Sequence, residues 1–416
     1  MTPTPQSSAF DPVDRPSAAS SDETPPSPAP TAAEMVPVEK VRGEVVPVEP
    51  PPPPRRRERD PFFDNAKFFA ILLVVAGHSI ENLRDIRFAH ALYLFVYTFH
   101  MPVFIVITGY FSRNFTFSGG KARKLLTNLG VPYVVFETAY STFHWAIGNA
   151  KFEISLLDPY YLTWFLLALF AWRLSTPVWQ QIRFPLAVAV VISLLSGMNQ
   201  LPPTLEMNRV FGLVPFYVLG LFLKPEHFEF LKRRSVAVLG AAVLALGFAF
   251  TFLVADRHMA TEWVYWRSGN PTLHVNNLTG TGMRLGMLVA AGVLVAAFLS
   301  LVPRRQHWFT SLGSATLYAY LLHGFATKLA DYYGWYDADI LHSVPGVLGV
   351  AAAGALLATL LCTPPVRWAM HWALEPNMTW AFTALRRPKM NLYAGRRRAA
   401  TRGKRTEMTP DGGGAG

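Results

Sequence analysis

The sequence predicts an all-α polytopic integral membrane protein with about ten transmembrane helices and both termini cytoplasmic. Three observations carry this. The 416 residues are 51% hydrophobic and 16% charged, with a mean hydropathy of +0.24, which is too apolar and too poor in charge for a soluble chain of this length. The apolar residues are gathered into runs near the length that crosses a bilayer. The positive charge is gathered into alternate connections between those runs.

The runs are read at about 62–82, 88–112, 125–147, 160–178, 184–200, 209–223, 235–255, 282–302, 311–332 and 345–370. An even number returns the chain to the side on which it started. Alternate connections carry Arg113, Lys121, Arg123 and Lys124, then Arg173 and Arg183, then Lys224, Lys232, Arg233 and Arg234, then Arg304 and Arg305. By the positive-inside rule these connections are cytoplasmic. The fifth and sixth runs are the shortest. The longest outer connection, about 256–281, holds Trp263, Tyr265 and Trp266, composition that suits an interfacial aromatic belt or a partial cover over an external site.

The formal charge of +11 follows this topological pattern, so nucleic acid is not an expected partner. Residues 1–59 hold many prolines and, apart from Phe10 and scattered aliphatics, little to bury; they read as a disordered, Pro-rich cytoplasmic tail. Residues 374–416 carry Arg386, Arg387, Lys389, Arg396, Arg397 and Arg398 and read as a basic, disordered cytoplasmic tail. The transmembrane domain is then 60–373. A single cysteine, Cys362, leaves no disulfide framework. No histidine spacing reads as a metal site, and none is expected.

Ionisable groups inside the runs mark candidate sites, because a charge at mid-membrane depth costs about 2.5–3.5 kcal/mol and usually faces a polar interior. In the first run Lys67 and His78 lie eleven residues apart, almost three turns, on one helix face and roughly 16 Å apart along the axis. On this topology Lys67 lies toward the cytoplasm and His78 toward the outer leaflet. The ninth run places His323 at a similar outward height, and the second leaves His100 near the middle with Pro102 and Gly109 beside it. His100 and Glu137 read equally as hydrogen-bonded packing groups or as site residues. Lys67 could instead snorkel to the inner interface.

Six stretches in order then carry a family resemblance. They are the spacing Lys67-x10-His78, its context FDNAKFFAILLVVAGHS, the FHMPVFIVITGYF segment, KARKLLTNLGVPY, TWFLLALF at 163–170 and YAYLLH ending at His323, set on the ten-run frame. Together they resemble the membrane acyltransferase 3 family, and within it the fucose 4-O-acetylase-like branch, over about residues 60–370. No fused extracytoplasmic hydrolase-like domain of the kind some relatives carry is expected.

The resemblance implies a multi-pass enzyme of the bacterial plasma membrane that O-acylates a carbohydrate or other hydroxyl-bearing envelope or exported acceptor. Acetyl-coenzyme A, an acyl-CoA reaching the site from the cytoplasm, is the implied donor. The residues fit that chemistry. A sugar hydroxyl is a weak nucleophile near pH 7, and a histidine with an unperturbed pKa near 6.5 suits the removal of its proton; His78 is the candidate base. His323 could orient the acceptor, share the proton or carry the acyl group. Lys67 could meet the donor or polarise its carbonyl. Arg113, Lys121, Arg123 and Lys124 could bind the donor's phosphates. Trp164, with His100 and Glu137, is a candidate for contact with the acceptor.

A secondary transporter of a glycan precursor or lipid-linked substrate is the alternative, since buried ionisable groups also mark transport pathways. Paired broken helices would favour it. A scaffold recruiting partners through Pro50–Pro54 leaves Lys67 and His78 without a purpose.

Overall fold

The computed structural model describes residues 60–148 and 152–382. Within them every regular element is helical and no strand occurs. The two tails proposed from the sequence fall almost wholly outside these residues.

Ten principal helices follow the ten apolar runs: α1 (Pro61–Ser79), α2 (Arg87–Ser112), α3 (Val131–Gly148), α4 (Trp164–Trp179), α5 (Pro185–Met198), α6 (Met207–Phe222), α7 (Arg234–Phe250), α8 (Asn277–Leu301), α9 (Thr316–Tyr332) and α10 (Val344–Leu361). An eleventh, α11, spans Pro364–Leu374. Six stretches among the described residues are long and apolar enough to cross a membrane: those of α1, α2, α8 and α10, together with Thr204–Phe222 and Arg234–His258.

Local chemistry sets the helix boundaries. Asp60 caps α1 by accepting the Phe62 N–H at 3.0 Å, with Pro61 in the first turn, where a missing N–H costs nothing. Asn276 and Ser343 cap α8 and α10 in the same way. The tenth apolar run, read as one segment over 345–370, is two helices: α10 stops at Leu361 and α11 begins at Pro364. Pro364 and Pro365 bring no N–H to continue the ladder, and proline disfavours helical backbone in the residue before it, so Thr363 turns the chain.

α1 packs against α10, α9 and α2, while α2 lies along α6. The α2–α6 approach is close because two glycines face each other. A methyl group at Gly109 would meet the Tyr217 carbonyl oxygen and the Gly220 Cα, and one at Gly220 would meet the Val106 carbonyl. Small residues of this kind let backbones touch where dispersion rather than water exclusion holds helices together. Inside α2, Pro102 cannot donate to the Thr98 carbonyl, which loosens the ladder one turn from His100.

Candidate active site

His78 occupies the last turn of α1 and lines a cavity of about 500 Å³. Its walls come from six parts of the chain. They are the α1 end with Glu81, α2 with Tyr93, Tyr97 and His100, the segment Asp158–Leu162 leading to Trp164, α6 with Arg209, the segment Val264–Arg267, and α9 with Tyr320 and Lys328. The connection between α7 and α8, read from its aromatics as a belt or a cover, supplies one wall through Tyr265 and Trp266.

Three polar groups converge on one imidazole nitrogen. The Tyr97 hydroxyl lies 2.9 Å, the Tyr161 hydroxyl 3.1 Å and Glu81 Oε2 3.3 Å from His78 Nδ1. His78 and Glu81 are one turn apart, so the carboxylate reaches back across the helix end. Burial raises the Glu81 carboxyl, but the hydrogen bond and charge of His78, with Arg84 and Lys328 nearby, outweigh it and hold the group below its ordinary range. It is therefore a carboxylate near neutral pH. Such a pair can take a proton at the imidazole and stabilise the imidazolium that results.

His323 lies behind His78, with ring centres 5.3 Å apart. It is fully buried, and its Nδ1–H donates to the Ala319 carbonyl at 2.9 Å. A carbonyl only accepts, so the proton is on Nδ1 and the lone pair on Nε2. That Nε2 is buried and has no hydrogen-bond partner among the described residues. His100 is fixed likewise, through Nδ1 to the Val96 carbonyl at 2.9 Å, and packs on the Tyr97 ring.

The backbone of this site is strained. Of five non-glycine residues with positive φ among those described, Tyr161, Glu206 and Trp266 line the cavity, and Leu205 is adjacent to one of them. Left-handed backbone costs an ordinary L-residue about 1–2 kcal/mol, and such outliers gather where surrounding contacts hold them for a purpose. Those contacts are present. Arg267 pairs with Glu206 at 3.0 Å, Arg209 donates to the Tyr265 carbonyl at 2.9 Å, and the Arg209 guanidinium lies 4.8 Å above the Trp164 ring.

Of the residues singled out from the sequence, His78, His100 and Trp164 meet at the cavity, and His323 stands directly behind it. Lys67 does not join them. Its ammonium pairs with Asp64, one turn earlier, at 2.7 Å, and this local partner balances the charge away from the cavity. Glu137 is buried below the wall rather than in it. It accepts the Tyr160 N–H and the Thr163 hydroxyl, so it holds the segment that carries Tyr161.

Arg113, Lys121, Arg123 and Lys124 gather at the far end of α2 and on the short helix Gly119–Leu125, away from the cavity. Arg113 stacks on Tyr110 and Arg123 on Phe382, whereas Lys121 and Lys124 are exposed. Sequence reasoning missed Glu81, Tyr97, Tyr161, Glu206 and Arg209. A signal existed for the first, the His78-x-x-Glu81 spacing at a helix end. The others meet only through tertiary packing.

Residues 60–364 match the acyltransferase domain model of the acyltransferase 3 family. The nodulation protein NolL of Sinorhizobium fredii is 26% identical over 333 residues, covering 73% of this chain and 88% of that protein. Its namesake from Mesorhizobium japonicum is 24% identical over 309 residues, 66% of this chain and 78% of that protein. No solved structure matches. The chain belongs to the acyltransferase 3 family and is a membrane O-acyltransferase, an enzyme that moves an acyl group from a donor to a hydroxyl-bearing acceptor.

Proposed function

We propose that the protein moves an acetyl group from cytoplasmic acetyl-coenzyme A to a hydroxyl of a carbohydrate or similar envelope or exported acceptor, in the manner of the fucose 4-O-acetylase-like branch. It does so in a bacterial plasma membrane that it crosses ten times, with both termini inside. The observation that carries this reading is His78 Nδ1 held among Glu81, Tyr97 and Tyr161 at the wall of the cavity.

His78 is the base. As the acceptor oxygen attacks the thioester carbonyl, its proton passes to the imidazole and Glu81 stabilises the imidazolium. The carbon–sulfur bond then breaks, and the proton goes to the departing thiolate. No proton is gained or lost overall. General-base assistance of this kind contributes about 10²–10⁴-fold.

The cavity suits a hydroxyl-rich ring. At about 500 Å³ it falls within the size range of small-molecule sites. Trp164, Tyr97 and Trp266 offer aromatic faces, while Glu206, Arg209 and Arg267 offer planar acceptors and donors along its rim. Lys121 and Lys124, exposed on the short helix that follows α2, are placed to meet the donor's phosphates, Lys121 by giving up its bond to the Asn114 carbonyl. Lys67 takes part in donor binding only by exchanging Asp64 for such a phosphate.

The test is acetyl-coenzyme A consumption by purified protein in detergent. His78→Ala is expected to lose about 100-fold or more. A folded His78→Ala protein with undiminished turnover removes the proposed base. Mass spectrometry of envelope glycans and lipids from a deletion strain identifies the acceptor as the molecule lacking one acetyl group.

A further inference from the structure

We infer that His323 is a positioning residue for the base: its Nε2 accepts the second N–H of His78 and thereby fixes which nitrogen of His78 does chemistry. The inference deepens the acyl-transfer reading and rests on it.

A neutral imidazole carries one N–H and one lone pair, and neighbours decide which nitrogen holds which. At His78 two phenol hydroxyls approach Nδ1, at 2.9 Å from Tyr97 and 3.1 Å from Tyr161. Phenols donate to a lone pair, and both stand nearer than the Glu81 carboxylate at 3.3 Å, so in the neutral ring Nδ1 accepts and the N–H is on Nε2; Glu81 receives an Nδ1–H once the ring is protonated. The remaining contact of that Nε2 is a long 3.3 Å approach to Tyr97, whose hydroxyl is nearer to Nδ1. The donor needs a better partner.

The matching acceptor is one ring away. His323 Nε2 must carry a lone pair, because Nδ1–H is committed to the Ala319 carbonyl at 2.9 Å. It is buried without a partner among the described residues. Ring centres 5.3 Å apart leave room for one hydrogen bond and for no intervening side chain. In the proposed contact the His78 ring is turned so that its Nε2–H points at this lone pair. His323 then holds His78 from behind while Glu81 and the tyrosines address its front. His323 is fully buried and does not line the cavity, which suits a supporting role and not direct contact with substrate.

Two measurements on the full-length protein test this. Nitrogen NMR of protein labelled at histidine, with the His78 signal assigned by its loss in His78→Gln, reports the tautomer without any turnover. The expected result is Nε2–H in the native protein and a mixture of tautomers in His323→Phe. Turnover, read as thiol release from acetyl-coenzyme A in membranes of the producing cells, is expected to fall about 100-fold in His323→Phe with KM for acetyl-coenzyme A unchanged. His323→Gln, which keeps an acceptor oxygen, is expected to recover at least tenfold of that loss. A native His78 protonated at Nδ1, or a folded His323→Phe protein with native turnover, overturns the assignment. Because the NMR arm needs no activity, it separates failure of this inference from failure of the acyl-transfer reading.

Discussion

Glu137 takes the backbone N–H of Tyr160 on both carboxylate oxygens, at 2.9 and 3.1 Å, while the Thr163 hydroxyl donates to the same carboxylate at 2.5 Å. A group one helix away from the cavity thereby sets the left-handed turn at Tyr161 that delivers a hydroxyl to His78. Replacing Glu137 by Leu leaves the Tyr160 N–H without its acceptor, while the Thr163 hydroxyl keeps the Tyr160 carbonyl. The expected loss is about 1–3 kcal/mol of stability, read as a lowered melting temperature in detergent. Turnover is expected to fall with it, and Glu137→Gln, which keeps one acceptor oxygen, to lie between.

The glycine contact between α2 and α6 makes a second prediction. Gly220→Ala has no space to enter, since its methyl group meets the Val106 carbonyl, and pushing the helices apart is expected to cost about 1–3 kcal/mol. Gly286→Ala, on α8, meets nothing within 4 Å and is expected to leave stability unchanged or raise it by up to about 1 kcal/mol. Melting of the two variants side by side is the check. Turnover should fall only in the first, because α2 and α6 carry Tyr97, His100 and Arg209.

Acid and alkaline limbs of stability are assigned to different groups. Glu81 has its folded value lowered, so its contribution is complete above the unfolded value of 4.5 and is lost as pH falls through the lower folded value. His342, raised by its bonds to Asp85 and to the Tyr336 carbonyl, behaves oppositely: its contribution is complete below 6.5 and fades as pH rises through the folded value. Melting temperature measured from pH 3 to pH 9 should show a loss below pH 4.5 that Glu81→Gln flattens. A smaller decline above pH 6.5 should vanish in His342→Phe.

The donor side has its own readout. Lys121→Ala combined with Lys124→Ala removes two exposed cations far from the cavity and is expected to raise KM for acetyl-coenzyme A about threefold to tenfold with kcat unchanged. The effect should shrink as salt is raised, since exposed charges act through a screened field. An unchanged KM at low ionic strength removes these lysines from the donor path.

Much of the fold was legible because apolar runs report helices directly, and all ten runs coincide with helices. The tenth was misjudged because hydropathy averages over Pro364 and Pro365, whose effect is on backbone hydrogen bonding and not on polarity. The site was legible where a polar side chain interrupts such a run, as at His78, His100 and His323. Lys67 shows the limit of that rule: Asp64, three residues earlier, neutralises it on the same helix, a spacing visible in the sequence. Glu81, Tyr161, Glu206 and Arg209 stand at helix ends or in connections, where polar residues are ordinary. Only packing shows that they share a cavity.

The mirrored backbone at Tyr161, Leu205, Glu206 and Trp266 has a practical side for anyone engineering this enzyme. Glycine would relax the backbone at each, but at buried Trp266 the lost packing of about 3–5 kcal/mol exceeds the roughly 1–2 kcal/mol of strain released, so a screen that selects only for heat resistance should return to Leu205 and pass over the other three. Those three carry side chains of the chamber wall, so the same packing that holds the mirrored turns in place also ties hardiness to an intact chamber.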